Sequence, residues 1–346
     1  MDNEIGDIHS DIIDIEVEIS QELQNTVSRT IDHFGPLSDL IGELDCLLAF
    51  AQVSRENNYN LPKRDERFSL AHNRHPIQER CCLQFISNDF ECDKNTAVSV
   101  LTGPNASGKS IFIKQIALTV FMNQIGCLIP AAEGSCIPIV DRIFTRIQTK
   151  ESYAKQKSAF QIDLEQTSGA VSFSTENSLV LLDEFGKGTK NEDGAAIFLS
   201  VIEHFGRLEK SPFLLATTHF HGRIKVNLDC LREITDVNIN WLQMAFLEES
   251  KYSIQPLFKI TEGISTNSWA ISAANQAGIS QGIIQRTVEY IKLINEGSLE
   301  DLWQVSQNQE RTKNAIRIIN SLLRTDLNPE TFEGFVKRIQ AYMEEF

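Results

Sequence analysis

The chain has 346 residues, 42% hydrophobic and 23% charged, enough apolar material for packed cores and too little charge for bulk disorder. A formal net charge of -15 and a pI near 5.0 argue against strong duplex-DNA binding by this chain alone, because phosphate contacts need clustered Lys and Arg. The seven cysteines form no C-x-x-C pair and no run of about 18 apolar residues exists, so a soluble, intracellular protein with free thiols is expected, without zinc, disulfide framework, signal peptide or membrane contact.

Ile12, Ile15, Ile19, Leu23, Val27 and Ile31 recur at steps of three or four and predict a helix over residues 10–33. Gly35 and Pro36 are expected to break it. Leu37, Leu40, Ile41, Leu44, Leu47, Leu48 and Ala51 then form the stripe of a second helix, so the pair reads as an αα-hairpin. The first helix begins near Met1 without an apolar partner, as the returning end of a longer arm would, and the chain is expected to be a fragment or a partial gene product. From about Leu61 short strands begin. Strands are expected at 97–102, 139–147, 178–182 and 213–218, with helices at 109–125 and 194–205, an α/β alternation. After Gly263 the chain turns helical, at 268–277 and, past Gly278 and a capping Ser280, at 281–295; residues 299–346 read as a polar amphipathic helix.

Between the strand at 97–102 and the helix at 109–125 lies Gly103-Pro104-Asn105-Ala106-Ser107-Gly108-Lys109-Ser110, which fits G-x-x-x-x-G-K-[ST]. Glycines let the backbone curl so that its N–H groups face phosphate oxygens, and the following helix adds its positive end. In such a phosphate loop Lys109 is expected to reach the β- and γ-phosphates of ATP and Ser110 to offer its hydroxyl to Mg²⁺. A chance glycine-rich turn would lack the flanking strand and helix.

The apolar run Leu179-Val180-Leu181-Leu182 ends in Asp183-Glu184, two acids at the strand end where such sheets bind ligands. Asp183 is expected to hold Mg²⁺, through water, and Glu184 to orient or deprotonate the attacking water; taken alone the pair would read as a solvated strand end. His219, after Leu214-Leu215-Ala216-Thr217-Thr218, could sense a γ-phosphate or position water, and equally could be structural.

These segments resemble the MutS family of DNA mismatch and recombination ATPases. The resemblance rests on Gly103-Pro104-Asn105, on Asp183-Glu184-Phe185-Gly186-Lys187-Gly188-Thr189 and on Thr218-His219-Phe220. Arg74-His75-Pro76-Ile77-Gln78-Glu79 with Phe85-Ile86-Ser87-Asn88-Asp89 resembles the family's entry strands, and Asn267-Ser268-Trp269-Ala270 with Ala277-Gly278-Ile279 its C-terminal helix-turn-helix. It runs over residues 10–295 and, through Ala106-Ser107 and the run 74–79, is most similar to the meiotic homologue-five class.

The resemblance implies an α/β fold of the P-loop NTPase, ABC-ATPase-like MutS type with an N-terminal helical hairpin. Its implied division is 1–60 as the end of a lever arm, 61–262 as the ATPase domain, 263–297 as a dimerising helix-turn-helix and 298–346 as a helical tail. It further implies that Phe85 stacks on adenine, that Asn105 contacts phosphate or water near the γ position, that His219 is a switch histidine and that Ser158 reaches the partner's nucleotide. The implied partner is a second MutS homologue, the meiotic homologue four, forming an ATP-gated heterodimeric clamp on Holliday junctions in the nucleus, on chromosomes. DNA contact would fall mainly to domains preceding residue 10. Two departures stand out: Lys187 where many members have Arg, and Ala154-Lys155-Gln156-Lys157 where a Gly-rich lead-in to Ser158 is usual.

A mismatch-repair subunit and a slow-hydrolysing, nucleotide-gated scaffold are the rival readings within this chemistry. A transporter-type or cohesin-type ATPase would carry Leu-Ser-Gly-Gly-Gln before the acidic strand, whereas this chain has Ser168-Gly169-Ala170 there.

Overall fold

The computed structural model describes residues 2–147, 157–220, 238–250, 253–265, 269–296 and 336–337. Two compact units are present, one formed by Met1–Glu248 with Gln255–Ser268 and the other by Glu249–Ile254 with Trp269–Phe346.

The first unit opens with α1 (Asp2–Ser28) and α2 (Ile31–Asn57). The break falls at Arg29 and Thr30, not at Gly35 and Pro36, which lie inside α2. Thr30 is right-handed helical, and its N–H and that of Arg29 still bond back to Val27 and Asn25. The two helices do not pack as the expected hairpin: Leu23 and Leu40 are each 63% exposed, and every residue over 7–49 is exposed. A reversal needs a turn that leaves helical space, and no residue between the two stripes takes a positive φ. Pro36 forfeits one backbone bond near the start of α2, a cost the helix absorbs because its φ already suits proline. α2 ends at Asn58, whose left-handed conformation closes a bond to the Ser54 carbonyl.

The strands are β1 (Lys63–Arg64), β2 (Phe68–Asn73), β3 (Asn88–Cys92), β4 (Val98–Thr102), β5 (Cys136–Ile137), β6 (Ile143–Arg146), β7 (Leu179–Leu182), β8 (Phe213–Thr217), β9 (Ile239–Ser250) and β10 (Ser253–Glu262). They build a small sheet, β1-β5-β2-β3, and a larger one, β10-β9-β4-β8-β7-β6. In the larger sheet β9, β4, β8, β7 and β6 run parallel. The mixed α/β character expected from the sequence is present. The strand expected at 139–147 is shorter: β6 begins at Ile143, and Cys136 and Ile137 belong to the small sheet. β9 and β10 were not anticipated, although Ile239, Trp241 and Leu242 followed by Ile254, Leu257 and Ile260 carry the β-rich composition of strands.

Alternation along the parallel strands splits the core into two layers, one on each face. Leu101, Leu179, Leu181, Phe213 and Leu215 pack with Phe112, Ile113, Ile116 and Val120 of α3 (Lys109–Gln124) and with Phe68, Leu70 and Phe90 of the small sheet. Val98, Val100, Val180, Leu182, Leu214 and Ala216 face Ala170 of α4 (Ala159–Phe173) and Ala195, Phe198, Ile202 and Phe205 of α5 (Asn191–Gly206). Burial on both faces is why β7 and β8 read as unbroken apolar runs. Each fully buried Leu or Phe contributes about 1.5–3 kcal/mol. This doubly covered sheet holds the ends of β4, β7 and β8 rigidly side by side.

The second unit contains α6 (Ala270–Gln276) and α7 (Gln281–Glu296), with Gly278 left-handed between them. The Ser280 carbonyl accepts from the Ile283 and Ile284 N–H groups, so α7 starts where the capping serine was expected. Within it, Ile254 N–H donates to Ser272 Oγ at 3.1 Å and Ile284 is buried. Asn267, Ser268 and the tail, apart from 336–337, lie outside the described residues. Among the described residues no helix is long and apolar enough to cross a membrane.

Candidate functional site

β4 delivers the chain into the glycine-rich loop, and α3 takes it away. Gly103 (φ 154°), Ala106 (φ 58°) and Gly108 (φ 100°) all have positive φ, which curls the backbone back on itself. Gly103 is also a close approach: a Cβ there would meet Met244 Cβ of β9 at 2.9 Å. Ser107 is buried and donates to the Pro104 carbonyl at 2.8 Å, locking the curl. The Phe112 N–H is bonded to the Gly108 carbonyl, so the amides of Lys109, Ser110 and Ile111 precede the regular helical bonds and stand ready for an anion.

Lys109 is buried, and its Nζ donates to the Gly103 carbonyl at 2.9 Å and to that of Pro104 at 2.8 Å. Burial lowers its pKa, against the raising influence of the Glu184 and Asp183 carboxylates. A buried ammonium held only by loop carbonyls is available to a stronger, anionic acceptor.

The end of β7 lies beside β8. Asp183 is buried; Thr217 Oγ1 donates to its Oδ1 at 2.6 Å and accepts from the Glu184 N–H at 3.0 Å. Arg146 of β6 donates to the Asp183 carbonyl and ion-pairs with the buried Asp163 of α4. Glu184 has a left-handed backbone (φ 50°), and Lys187 Nζ bonds its Oε2 at 2.9 Å. Burial pushes the Glu184 pKa up, but the Lys187 hydrogen bond and charge, Lys109 and His219 outweigh it, and the net shift is downward. Gly186 and Gly194 let this turn sit on the start of α5, where a Cβ on Gly186 would meet the Gly194 carbonyl oxygen at 2.5 Å.

His219 follows β8, tilted against Phe220 with ring centroids 4.0 Å apart. Its Nδ1 is buried without a partner among the described residues, and burial lowers its pKa, so the ring is neutral at pH 7. A neutral ring presents one donor and one acceptor nitrogen.

A cavity of about 470 Å³ collects Ala106, Ser107, Gly108, Lys109, Ser110, Phe85 and Glu184 on its walls. Asn105 is exposed, and neither it nor Asp183 nor His219 is among the lining residues. Ser158 is not brought there. It caps α4, its Oγ accepting from the Gln161 N–H at 3.2 Å, and residues 154–156 lie outside the described residues. The sequence missed Phe258, Met244, Gln78 and Gln115, which also line the cavity. Phe258 and Met244 sit on the unanticipated β10 and β9; Asn88 secures the former, donating to the Phe258 carbonyl at 2.9 Å and accepting from the Ile260 N–H at 2.8 Å. Gln115 donates to Asn73 inside the core, a pairing that spans too many residues to show as a motif.

Residues 99–295 match the family model described as MutS domain V. The chain is 36% identical to MutS protein homolog 5 of Saccharomyces cerevisiae over 96% of its own length and 40% of that protein. It is 32% identical to the DNA mismatch repair protein MutS of Clostridium botulinum strain Loch Maree, over 96% of this chain and 35% of that one. It is 34% identical to the DNA mismatch repair protein MutS of Petrotoga mobilis, over 86% and 36% respectively. The chain thus spans 35–40% of the length of these curated relatives. With the family model covering more than half of it, the chain belongs to the MutS family.

Proposed function

We propose that this chain is the ATPase portion of a MutS-family protein that acts with a second MutS homologue as an ATP-gated clamp on Holliday-junction DNA in meiotic crossing over, in the nucleus and on chromosomes. The observation that carries the nucleotide reading is the buried Lys109 ammonium in a curled loop, on the wall of a cavity shared with Phe85 and Glu184. The residues present fit a polyphosphate: three positive-φ residues curl the loop, and among the described residues Lys109 donates to the Gly103 and Pro104 carbonyls, weaker acceptors than phosphate. The fit to Mg²⁺ is one of donor chemistry, since the hydroxyl of Ser110 and the carboxylate of Asp183 are the oxygen ligands such an ion takes.

In this reading residues 103–110 cradle ATP, Phe85 stacks on the adenine, and Asn105 contacts the γ-phosphate or its water. Ser110 and Asp183 would hold Mg²⁺, which would supply positive charge to offset that of the phosphates. Glu184 orients or deprotonates the attacking water. His219, whose Nδ1 has no partner among the described residues, registers the γ-phosphate. Glu184→Gln removes the base and leaves the cradle intact. It is expected to retain equilibrium ATP binding and to lose roughly 10²–10⁴-fold in single-turnover hydrolysis. Normal turnover in this variant would overturn the assignment.

The meiotic reading rests on the similarity to a homolog 5. The bacterial relatives named for mismatch repair support the alternative of a repair subunit. The heterodimer reading assigns the interface to α6, α7 and their connection, where Ile279 and Ile283 are exposed while Ile284 is buried. Ser158 would reach the partner's nucleotide from the capped start of α4. Adding the meiotic homologue four is expected to produce a heavier species in sedimentation and to raise ATP turnover; unchanged turnover in a demonstrably monomeric chain would count against composite sites.

A further inference from the structure

Lys187 stands where the turn after β7 meets the candidate base. Its Nζ bonds Glu184 Oε2 at 2.9 Å, its N–H closes the turn on the Glu184 carbonyl at 3.3 Å, and it bridges to Thr189. The turn itself has no slack. Glu184 is held in left-handed space, Gly186 (φ 90°) abuts the Gly194 carbonyl, and Gly188 (φ 116°) follows. The Lys187 side chain is 66% exposed, whereas that of Glu184 is 23% exposed and lines the cavity. An ion pair with so exposed a cation adds little to stability. Its geometric consequence is larger. One carboxylate oxygen, Oε2, is taken, and Oε1 has no hydrogen bond among the described residues. Lys109 lowers the Glu184 pKa through its charge, but its hydrogen bonds among the described residues go to the Gly103 and Pro104 carbonyls and not to this carboxylate.

We infer that Lys187 is a positioning residue for hydrolysis: by holding Oε2 it fixes the Glu184 carboxylate with Oε1 presented to the attacking water. This rests on the reading of Glu184 as the group that activates water. A carboxylate on a flexible side chain, freed of this tether, spends most of its time misaligned, and a misplacement of about 1 Å can cost roughly 10²-fold in rate. Arginine at this position offers the same charge on a comparable reach, so the departure from the family's common residue preserves the tether.

The test uses the full chain with Lys187→Ala, Lys187→Arg, Glu184→Gln and the Lys187→Ala/Glu184→Gln double variant. Equilibrium ATP binding, single-turnover hydrolysis and thermal midpoint are measured on each. Lys187→Ala is expected to slow hydrolysis by roughly 10–100-fold, with ATP affinity and midpoint unchanged. Lys187→Arg is expected to recover most of the rate, and Lys187→Ala to add nothing once Glu184 is Gln. A loss of ATP affinity would make Lys187 a phosphate contact and overturn the inference. So would an unchanged rate, or a further loss in the double variant. If Glu184→Gln itself hydrolyses ATP normally, the reading of the site has failed; if only Lys187→Ala is normal, the positioning role alone has failed.

Discussion

Lys109→Ala is expected to abolish measurable ATP binding while leaving the fold intact. The Lys109 ammonium is buried, and its acceptors are the Gly103 and Pro104 carbonyls at 2.9 and 2.8 Å. A carbonyl is a weak substitute for a phosphate oxygen, so nearly all of the value of this charge is realised only when a polyphosphate arrives. Removing one such aligned charged donor costs roughly 10²–10³-fold. The protein without nucleotide loses little, because burial already disfavours the charged form, as its lowered pKa shows. Isothermal titration with ATP, paired with thermal unfolding in its absence, separates the two effects. Retained binding would mean that the cavity is not built around phosphate; a collapsed midpoint would mean that Lys109 is a structural group.

Arg146→Met is expected to destabilise the first unit by about 3–5 kcal/mol. The mutation removes the guanidinium that ion-pairs with the buried Asp163 carboxylate in α4 and deprives the Asp183 carbonyl of a donor. Breaking one side of a buried pair costs far more than removing the pair, because the remaining charge cannot be hydrated. Arg146→Met with Asp163→Leu is therefore expected to regain most of the loss. Urea unfolding of the single and double variants measures it from the shift in midpoint at constant slope. Equal destabilisation by the two would show that the guanidinium acts through packing alone. The pair also ties three elements at the mouth of the sheet, β6, α4 and the end of β7, so the single variant should also loosen the position of Asp183.

The parts of the site that were legible in the sequence are those made by neighbours along the chain. At Gly103 to Ser110 a tight turn opening a helix was legible, because positive φ and a helix start are local requirements, met by Gly108 and the residues after it. The strand Leu179 to Leu182 ending before Asp183-Glu184 was legible because a strand buried on both faces must be apolar until it leaves the sheet. Phe85 was identified by resemblance, and it lines the cavity. Local signals also misled. Gly35-Pro36 is a breaker pair by composition, yet α2 runs through it and the break lies at Arg29-Thr30, so the hairpin does not form. Propensity is a weak prior there, because neither stripe is packed on anything that would select a turn.

By itself, then, the sequence determined the α/β alternation, the curled loop after β4 and the apolar strand that ends in two acids, since period, glycine placement and strand burial act over a few residues. Only the tertiary structure decided the rest. Phe258 and Asn88 meet across 170 residues, Arg146 and Asp163 across 17, and Glu184 is set by Thr217, 33 positions away. Such pairings carry no periodic signature. They exist because the sheet order brings β6, β7 and β8 side by side, and because buried polar groups must find partners wherever the chain has placed them.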